Sequence, residues 1–570
     1  MIASLLARSR AFAPLRVLFL AWLFLVWPAE AAERFLVATA NPHASRAAQE
    51  IVTMGGSAVD AAIAAQMVLT LVEPQSSGIG GGAFLLHYDS ETGKVTAYDG
   101  RETAPAGATP DMFLKADGEP KGFYEAVVGG LSVGVPGVVR MLDLAHRDHG
   151  KLPWGRDFGP AVRLATLGFR VSPRLHELIS ADSHLKSFPA AHAYFYDAAG
   201  RPLAVGTKLT NPDLAATFRA IAAGGARAFY EGPIAEDIAR AVRHATISPG
   251  TLSTADIAAY EAKRREALCR DYREWRVCGM PPPTSGGLTV LQILGILESF
   301  DLSALQPGSV EAVHLISEAS RLAYADRAVY IGDSDFVPVP VDAMLEPGYL
   351  AERAALIRPD RSMGEAPAGL LQDRAEAPPP SEGYEGRSTT HLVVVDQDGD
   401  VVSMTSSIEN AFGSRLMVRG FLLNNQLTDF AFRPTVGGRP VANAAAPGKR
   451  PRSSMSPTIV LDREGGFRYA VGSPGGSRII TYVAKALLGA LDWGLDVQTA
   501  IDLPNHVNRN GRTELEAGTA LEAIAEPLRA LGHDVVLDSL TSGLHGATRA
   551  ADGTIAGGAD PRREGMVIED

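Results

Sequence analysis

The stretch GRSTTHLVVVDQDGDVVSMTSS, residues 386–407, decides how the rest of the chain is read. Two β-rich runs flank Gln397, Asp398 and Gly399, the composition of a tight hairpin turn. With Asp396 and Asp400 facing each other across that turn, antiparallel pairing sets Thr389 opposite Ser407. The first strand also begins abruptly. Residues 361–387 before it are Pro, Gly, Ala and acid without a period, the composition of an exposed linker or chain end. A cut in the chain explains such a start, because it makes Thr389 a new N-terminus. A terminal threonine joins a nucleophilic hydroxyl to its own α-amine, whose reference pKa of about 7.7–8.0 suits a base near neutrality. The same two threonines also read as an ordinary strand start, and periodicity alone leaves both readings open.

The chain has 570 residues, more than one hydrophobic core needs, so several folding units or one large layered domain are expected. Its 46% hydrophobic and 21% charged residues mark a globular protein. A net charge of −12, with no basic stripe interleaved with aromatics, argues against nucleic acid as a partner. Arg8, Arg10 and Arg16 precede the apolar run VLFLAWLFLVW, residues 17–27, and Ala29-Glu30-Ala31 then forms an A-x-A site. This reads as a cleavable signal peptide over residues 1–31 and hence export to the periplasm, with a retained anchor as the alternative. The run is shorter than the roughly 20 residues a membrane span requires. Cys269 and Cys278 flank a stretch that reads as a hairpin, where either a disulfide or two free thiols would fit.

Two helices are expected over 44–54 and 58–71, the second capped by Ser57. Gly78, Gly80, Gly81 and Gly82 then lead into a strand over 83–88. They let the backbone turn sharply or approach another segment, and a strand follows where a nucleotide-binding loop would open a helix. Arg101 falls between a strand and a Pro-rich turn, with its guanidinium expected in a cleft. A helix is expected to begin near Leu288, and 310–330 reads as an amphipathic helix on a sheet. The 13 histidines show no metal-like spacing, and His391 shares a strand face with Thr389.

The segments GGSAVDAA, GIGGGAF, GRETAP, PPPTSGG, STTHLVVVD, NNQLTDF, RPRSSMSPTIV and GSPGGSRII occur in that order. In wording and order the chain closely resembles the gamma-glutamyltranspeptidases, or glutathione hydrolases, of the N-terminal-nucleophile hydrolase superfamily. The resemblance implies an α+β fold, a four-layer αββα sandwich built from two chains of one precursor. It implies self-cleavage between Ser388 and Thr389, giving a large subunit 32–388, flexible over 361–388, and a small catalytic subunit 389–570. Thr389 would form a gamma-glutamyl ester from glutathione or a related donor and pass it to water, an amino acid or a peptide. By the same resemblance Ser407 orients the nucleophile, and Gly475 and Gly476 form the oxyanion hole. Arg101, Ser453 and Ser454 meet the donor carboxylate, while Asp429 and Gln426 meet its ammonium. No metal or organic cofactor is implied.

Two departures stand out. Glu409 occupies a position where the best-known Gram-negative members carry asparagine, and the segment around Gly437 and Gly438 is shorter than their lid and lacks its tyrosine. A related amidase acting on glutaryl side chains of cephalosporins is the alternative reading. An exported, non-enzymatic binding protein is a remoter one, and it would leave the chain uncut.

Overall fold

Strands Ser388–Val395 and Val401–Glu409 pair antiparallel with Thr389 opposite Ser407, the register that the turn composition implies. Asp396 sets that register. Its Oδ1 accepts the amides of Asp398 and Asp400, each at 3.0 Å, and Gly399 supplies the left-handed φ of 89° that closes the turn. In this computed structural model, residues 35–371, 377–381, 383, 385–386 and 388–570 are described, so the expected leader at 1–31 lies outside them.

The hairpin is the centre of a seven-stranded sheet. In spatial order its strands are Met566–Glu569, Leu36–Thr39, Ser388–Val395, Val401–Glu409, Gly82–Asp89, Lys94–Gly100 and Lys263–Glu266. Alternation along the strands sorts side chains into two layers, as the two-residue period requires. Val37, Leu392, Val394, Val402 and Met404 pack under helices Pro42–Thr53 and Ala58–Val72. Leu36, Ala38, Val393, Val395 and Val401 face the other way, onto a six-stranded sheet, where they meet Ile459, Tyr469, Val471 and Ala547. Helices Gly286–Leu297 and Ile479–Leu491 cover that second sheet. The result is an αββα sandwich, and the odd-numbered face that carries Thr389 and His391 points between the sheets. Strands Leu268–Tyr272 and Trp275–Gly279 form the expected hairpin, and a disulfide joins Cys269 to Cys278 across it. Among the described residues no helix is long and apolar enough to cross a membrane.

Local expectations hold where local chemistry decides them. Helix Ala58–Val72 starts at Ser57, whose hydroxyl accepts the Asp60 amide while Asp60 returns a bond to the Ser57 amide. Two expectations change. Helix Val310–Tyr330 is not a surface amphipath: it is buried on every side, and even Ser317, Glu318, Ser320 and Arg321 are inside. Neighbouring chain satisfies the charged pair among them, with Glu318 accepting from Arg321, Ser362 and the Met363 amide and Arg321 donating to the Gly511 carbonyl, while Ser317 Oγ has no hydrogen-bond partner. Residues 361–388, read as an exposed end, are also anchored where they are described. Ala366 bonds Asn510, Gly369 bonds Asp326, and buried Ser381 bonds the Ala328 carbonyl.

The burial of helix Val310–Tyr330 has a measurable consequence. A surface helix would accept Ser320→Lys with little change. Here the variant should lose about 3 kcal/mol or more of unfolding free energy in urea titrations, because a buried charge arrives without a partner.

Candidate active site

The register that faces Thr389 toward Ser407 also places both beside the peptide bond that precedes Thr389. Ser407 Oγ lies 3.1 Å from Thr389 Oγ1 and donates to the Ser388 carbonyl oxygen at 3.0 Å. It accepts the Glu409 amide at 2.9 Å, so its one proton is committed to the carbonyl and the Thr389 hydroxyl donates to it. One serine therefore touches both the candidate nucleophile and the carbonyl that nucleophile would attack. The strand bulges just after Ser407, and Glu409 takes a left-handed φ of 80°, a strained conformation for a glutamate. Arg563, which the sequence did not single out, donates to the Thr389 carbonyl at 3.2 Å.

Thr389, Ser407, Glu409, Gln426, Asp429, Ser453, Ser454 and Gly476 line one small cavity together with Glu385 and Gly386. Its volume of about 20 Å³ holds one water and no substrate. The plug is the chain's own segment before the strand. The Gly386 amide donates to Glu409 Oε1, and the Glu385 carboxylate is bonded by Arg327. Gly476, at φ 60°, lies so close that a Cβ there would stand 2.3 Å from the Gly386 carbonyl oxygen. On the far side of this segment opens a cleft of about 550 Å³, lined in part by Gly475, Arg478, Tyr482 and Arg563. Glu385 and Gly386 form the partition between the two spaces, and Ser388 borders only the larger one.

Arg101 differs from its expected place. It is fully buried behind the cavity wall, with Nη2 bonded to Asp429 Oδ2 at 2.5 Å and to the Arg452 carbonyl at 2.9 Å. The residues expected to grip opposite charges of one ligand thus grip each other in the uncut chain. Gln426 also donates to Asp429 Oδ2, at 3.2 Å, while Asp429 Oδ1, Gln426 Oε1 and Arg101 Nη1 are buried without a hydrogen-bond partner. Ser454 Oγ accepts from Arg327 at 2.7 Å, and Ser453 Oγ accepts the Met455 amide at 3.1 Å.

Glu409 and Asp429 compete for ionisation. Burial, then the Asp429 carboxylate, pushes Glu409 well above the usual carboxylate range. Burial also pushes Asp429 up to about 7, against the pull of Arg101. The Arg101 guanidinium beside Asp429 works against the rise of that carboxyl, whereas the Asp429 charge adds to the rise of Glu409. His391 is a packed residue: its Nδ1 meets Thr405 Oγ1 at 2.9 Å, and burial drives its pKa well down. The short lid segment forms a two-residue hairpin between Thr435–Val436 and Arg439–Pro440, with Gly437 and Gly438 at φ 59° and 77° closing the turn.

The family model described as gamma-glutamyltranspeptidase matches residues 44–569. A relative named glutathione hydrolase proenzyme, from Bacillus subtilis (strain 168), is 38% identical over 545 residues, covering 94% of this chain and 91% of that protein. The acylase ACY 1 proenzyme of Pseudomonas sp. (strain SE83) is 35% identical over 543 residues, covering 94% and 93%. Among solved structures, the cephalosporin acylase from Bacillus halodurans superposes with a TM-score of 0.81 at 28% identity, covering 94% of this chain and 95% of that one.

The contact between Ser407 and the Ser388 carbonyl predicts a kinetic defect. Ser407→Ala removes the hydroxyl that polarises this carbonyl and should slow cutting at Ser388–Thr389 by roughly 10²–10³-fold, the usual loss for one such donor. The folded chain should persist. A time course on denaturing gels reads the rate, and cutting at the wild-type pace would remove Ser407 from this role.

Proposed function

The chain belongs to the gamma-glutamyltranspeptidase family and is an acyl-transferring enzyme of the N-terminal-nucleophile hydrolase type; from that premise we propose that it is a self-processed gamma-glutamyltransferase and glutathione hydrolase. Thr389 Oγ1 attacks the Ser388 carbonyl, the peptide nitrogen leaves as the new α-amine, and water opens the resulting ester. Residues 32–388 and 389–570 then form the large and small subunits. In turnover Thr389 Oγ1 attacks the gamma-carbonyl of a donor while its α-amine takes the proton. The leaving amine is protonated, and water, an amino acid or a dipeptide takes the acyl group. Gly475 and Gly476 supply amides to the oxyanion, and both positions exclude larger residues: a Cβ at Gly475 would meet the Tyr482 ring at 2.8 Å.

One observation carries the choice of donor. Beside Thr389, Asp429 Oδ1 and Gln426 Oε1 are buried acceptors without a donor, and a glutamate joins them at position 409. An α-ammonium supplies the missing N–H groups and the missing positive charge. A glutaryl group supplies neither. The plug supports the same reading, because it offers an N–H to Glu409 and a carboxylate to the Arg327–Ser454 pair, the two halves of an amino-acid head. We assign the donor carboxylate to Ser453, Ser454 and Arg327, with Arg101 positioning Asp429 and offering Nη1. Export through the leader at 1–31 to the periplasm belongs to this proposal, and the disulfide supports an oxidising compartment.

A second reading is an amidase for glutaryl-type side chains. Its support is the full-length likeness to proteins named acylase, one of which superposes over nearly the whole chain. Taken alone, the structural comparison leans toward it. The orphaned acceptors favour gamma-glutamyl.

Comparing gamma-glutamyl-p-nitroanilide with glutaryl-p-nitroanilide separates the two. The ammonium-bearing donor should win by about 10² or more in kcat/KM, since its absence strands buried acceptors. Preference for the glutaryl compound would establish the acylase reading instead. Thr389→Ala should remain one chain, and normal cutting of that variant would refute the processing step.

The raised carboxyls of Glu409 and Asp429 add a pH signature. An ammonium binds best to the deprotonated pair, so donor KM should fall as pH rises toward and through 7. Glu409→Gln should raise KM and flatten that dependence. An unchanged KM profile in this variant would take Glu409 out of donor binding.

A further inference from the structure

At the other end of the central hairpin from Thr389, beside the turn, three side chains from two segments converge. Asp60 is in the first turn of helix Ala58–Val72, whose Ala58 amide is bonded to Asp396 of the hairpin at 2.9 Å. Asp60 Oδ2 is saturated: it accepts the amides of Ser57 at 2.9 Å, Lys151 at 2.9 Å and Leu152 at 3.0 Å. Asp60 Oδ1 has no hydrogen-bond partner and faces His146 Nε2 at 3.4 Å. Asp157 is completely buried with neither oxygen bonded, and its Oδ2 lies 3.7 Å from the same nitrogen. The Leu152 carbonyl oxygen is 2.9 Å from that nitrogen.

Hydrogen bonds do not resolve this cluster. Three carboxylate oxygens are buried without donors, a costly arrangement. The single Nε2 proton of His146 is directed at the Leu152 carbonyl, so it leaves the carboxylates unsatisfied. A cation in the centre would take one oxygen from each carboxylate and the Nε2 lone pair of His146, whose proton would then sit on Nδ1. One ligand atom from each of Asp60, His146 and Asp157 lies within 4.8 Å of the others. The 3.4 and 3.7 Å separations are close to the roughly 3.4 Å edge of a tetrahedron whose bonds are about 2.1 Å long. Calcium prefers six to eight oxygens at longer distances, and imidazole selects for transition metals.

We propose that Asp60, His146 and Asp157, with the Leu152 carbonyl completing the set, form a structural site for a divalent transition-metal ion of the zinc type. The ion fastens the start of helix Ala58–Val72 to the connection that follows helix Val138–His149, next to the hairpin turn that sets the register of Thr389. Nothing in this assignment depends on the choice of donor at the active site.

The test uses the purified wild-type protein, stripped with EDTA, dialysed and titrated with Zn²⁺ while metal content and melting temperature are followed. Uptake of about one ion per large–small pair and a rise of a few degrees in Tm are expected. Ca²⁺ should do neither. Asp157→Asn, which keeps the side chain's size, and His146→Gln should each weaken Zn²⁺ uptake at least tenfold. Failure of the stripped wild type to bind Zn²⁺ at micromolar concentration overturns the proposal without recourse to any variant. Binding that both variants retain in full places the ion elsewhere and overturns it too, as does binding of Ca²⁺ in preference to Zn²⁺.

Discussion

The pairing of Thr389 with Ser407 across the central hairpin is the constraint on which the remaining structure depends. Strand side chains alternate between the helix-facing and sheet-facing layers, so a slip of one residue would turn Thr389 into the apolar layer with Leu392 and Val394. The hydroxyl would then be sealed under helices rather than opened to the groove between sheets. The Asp396 turn guards against this by tying its carboxylate to two amides of the loop. Helix Ala58–Val72 bonds the other oxygen of the same carboxylate, so turn and helix layer fix each other.

Close backbone approach is the second constraint. The glycines before strand Gly82–Asp89 close a turn, the Gly81 amide donating to the Gly78 carbonyl at 3.0 Å, and since none of them takes a left-handed φ, what glycine itself adds there is space. A Cβ at Gly81 would stand 2.1 Å from the Ser407 carbonyl oxygen, and one at Gly80 equally close to that of Leu422. Any larger residue would push strand Val401–Glu409 away and carry Ser407 with it. Gly472 acts similarly from the second sheet, since a Cβ there would stand 2.3 Å from the ring of His391. Glycine removes bulk where layers must touch, and the nucleophile's neighbours keep their places.

What could be read from sequence follows this division between local and distant physics. The Ser57 cap and the hairpin register are set by neighbours in the chain, and residue types alone disclose them, whereas composition left the Cys269–Cys278 bridge open and the strand pairing closes it. The bond between Arg101 and Asp429 spans 328 positions and has no local period to announce it. Arg327 lies in a helix that apolar spacing reads as amphipathic, and its partner Glu385 is 58 positions away. Residues 361–388 lack periodicity because their contacts are single hydrogen bonds to distant residues, a pattern indistinguishable by composition from an exposed tail. The cluster of Asp60, His146 and Asp157 escaped for the same reason, as no metal-like spacing links these positions.

The uncut chain resolves a difficulty that such a site creates for folding. A cavity built to hold an ammonium and a carboxylate must bury polar groups whose partners arrive only with substrate, and groups left without partners oppose folding. The segment before Thr389 lends partners in advance: the Gly386 amide to Glu409, and the Glu385 carboxylate to Arg327. Since that segment ends at the bond proposed for cleavage, the cut gives it the freedom to withdraw without unravelling strand Ser388–Val395, which is held on both sides within the sheet. The polar groups it releases then favour a ligand of like charge pattern. On the proposed cut, the same buried groups would stabilise the precursor first and select the donor afterwards, and withdrawal of Glu385 and Gly386 would remove the partition between the small cavity and the larger cleft.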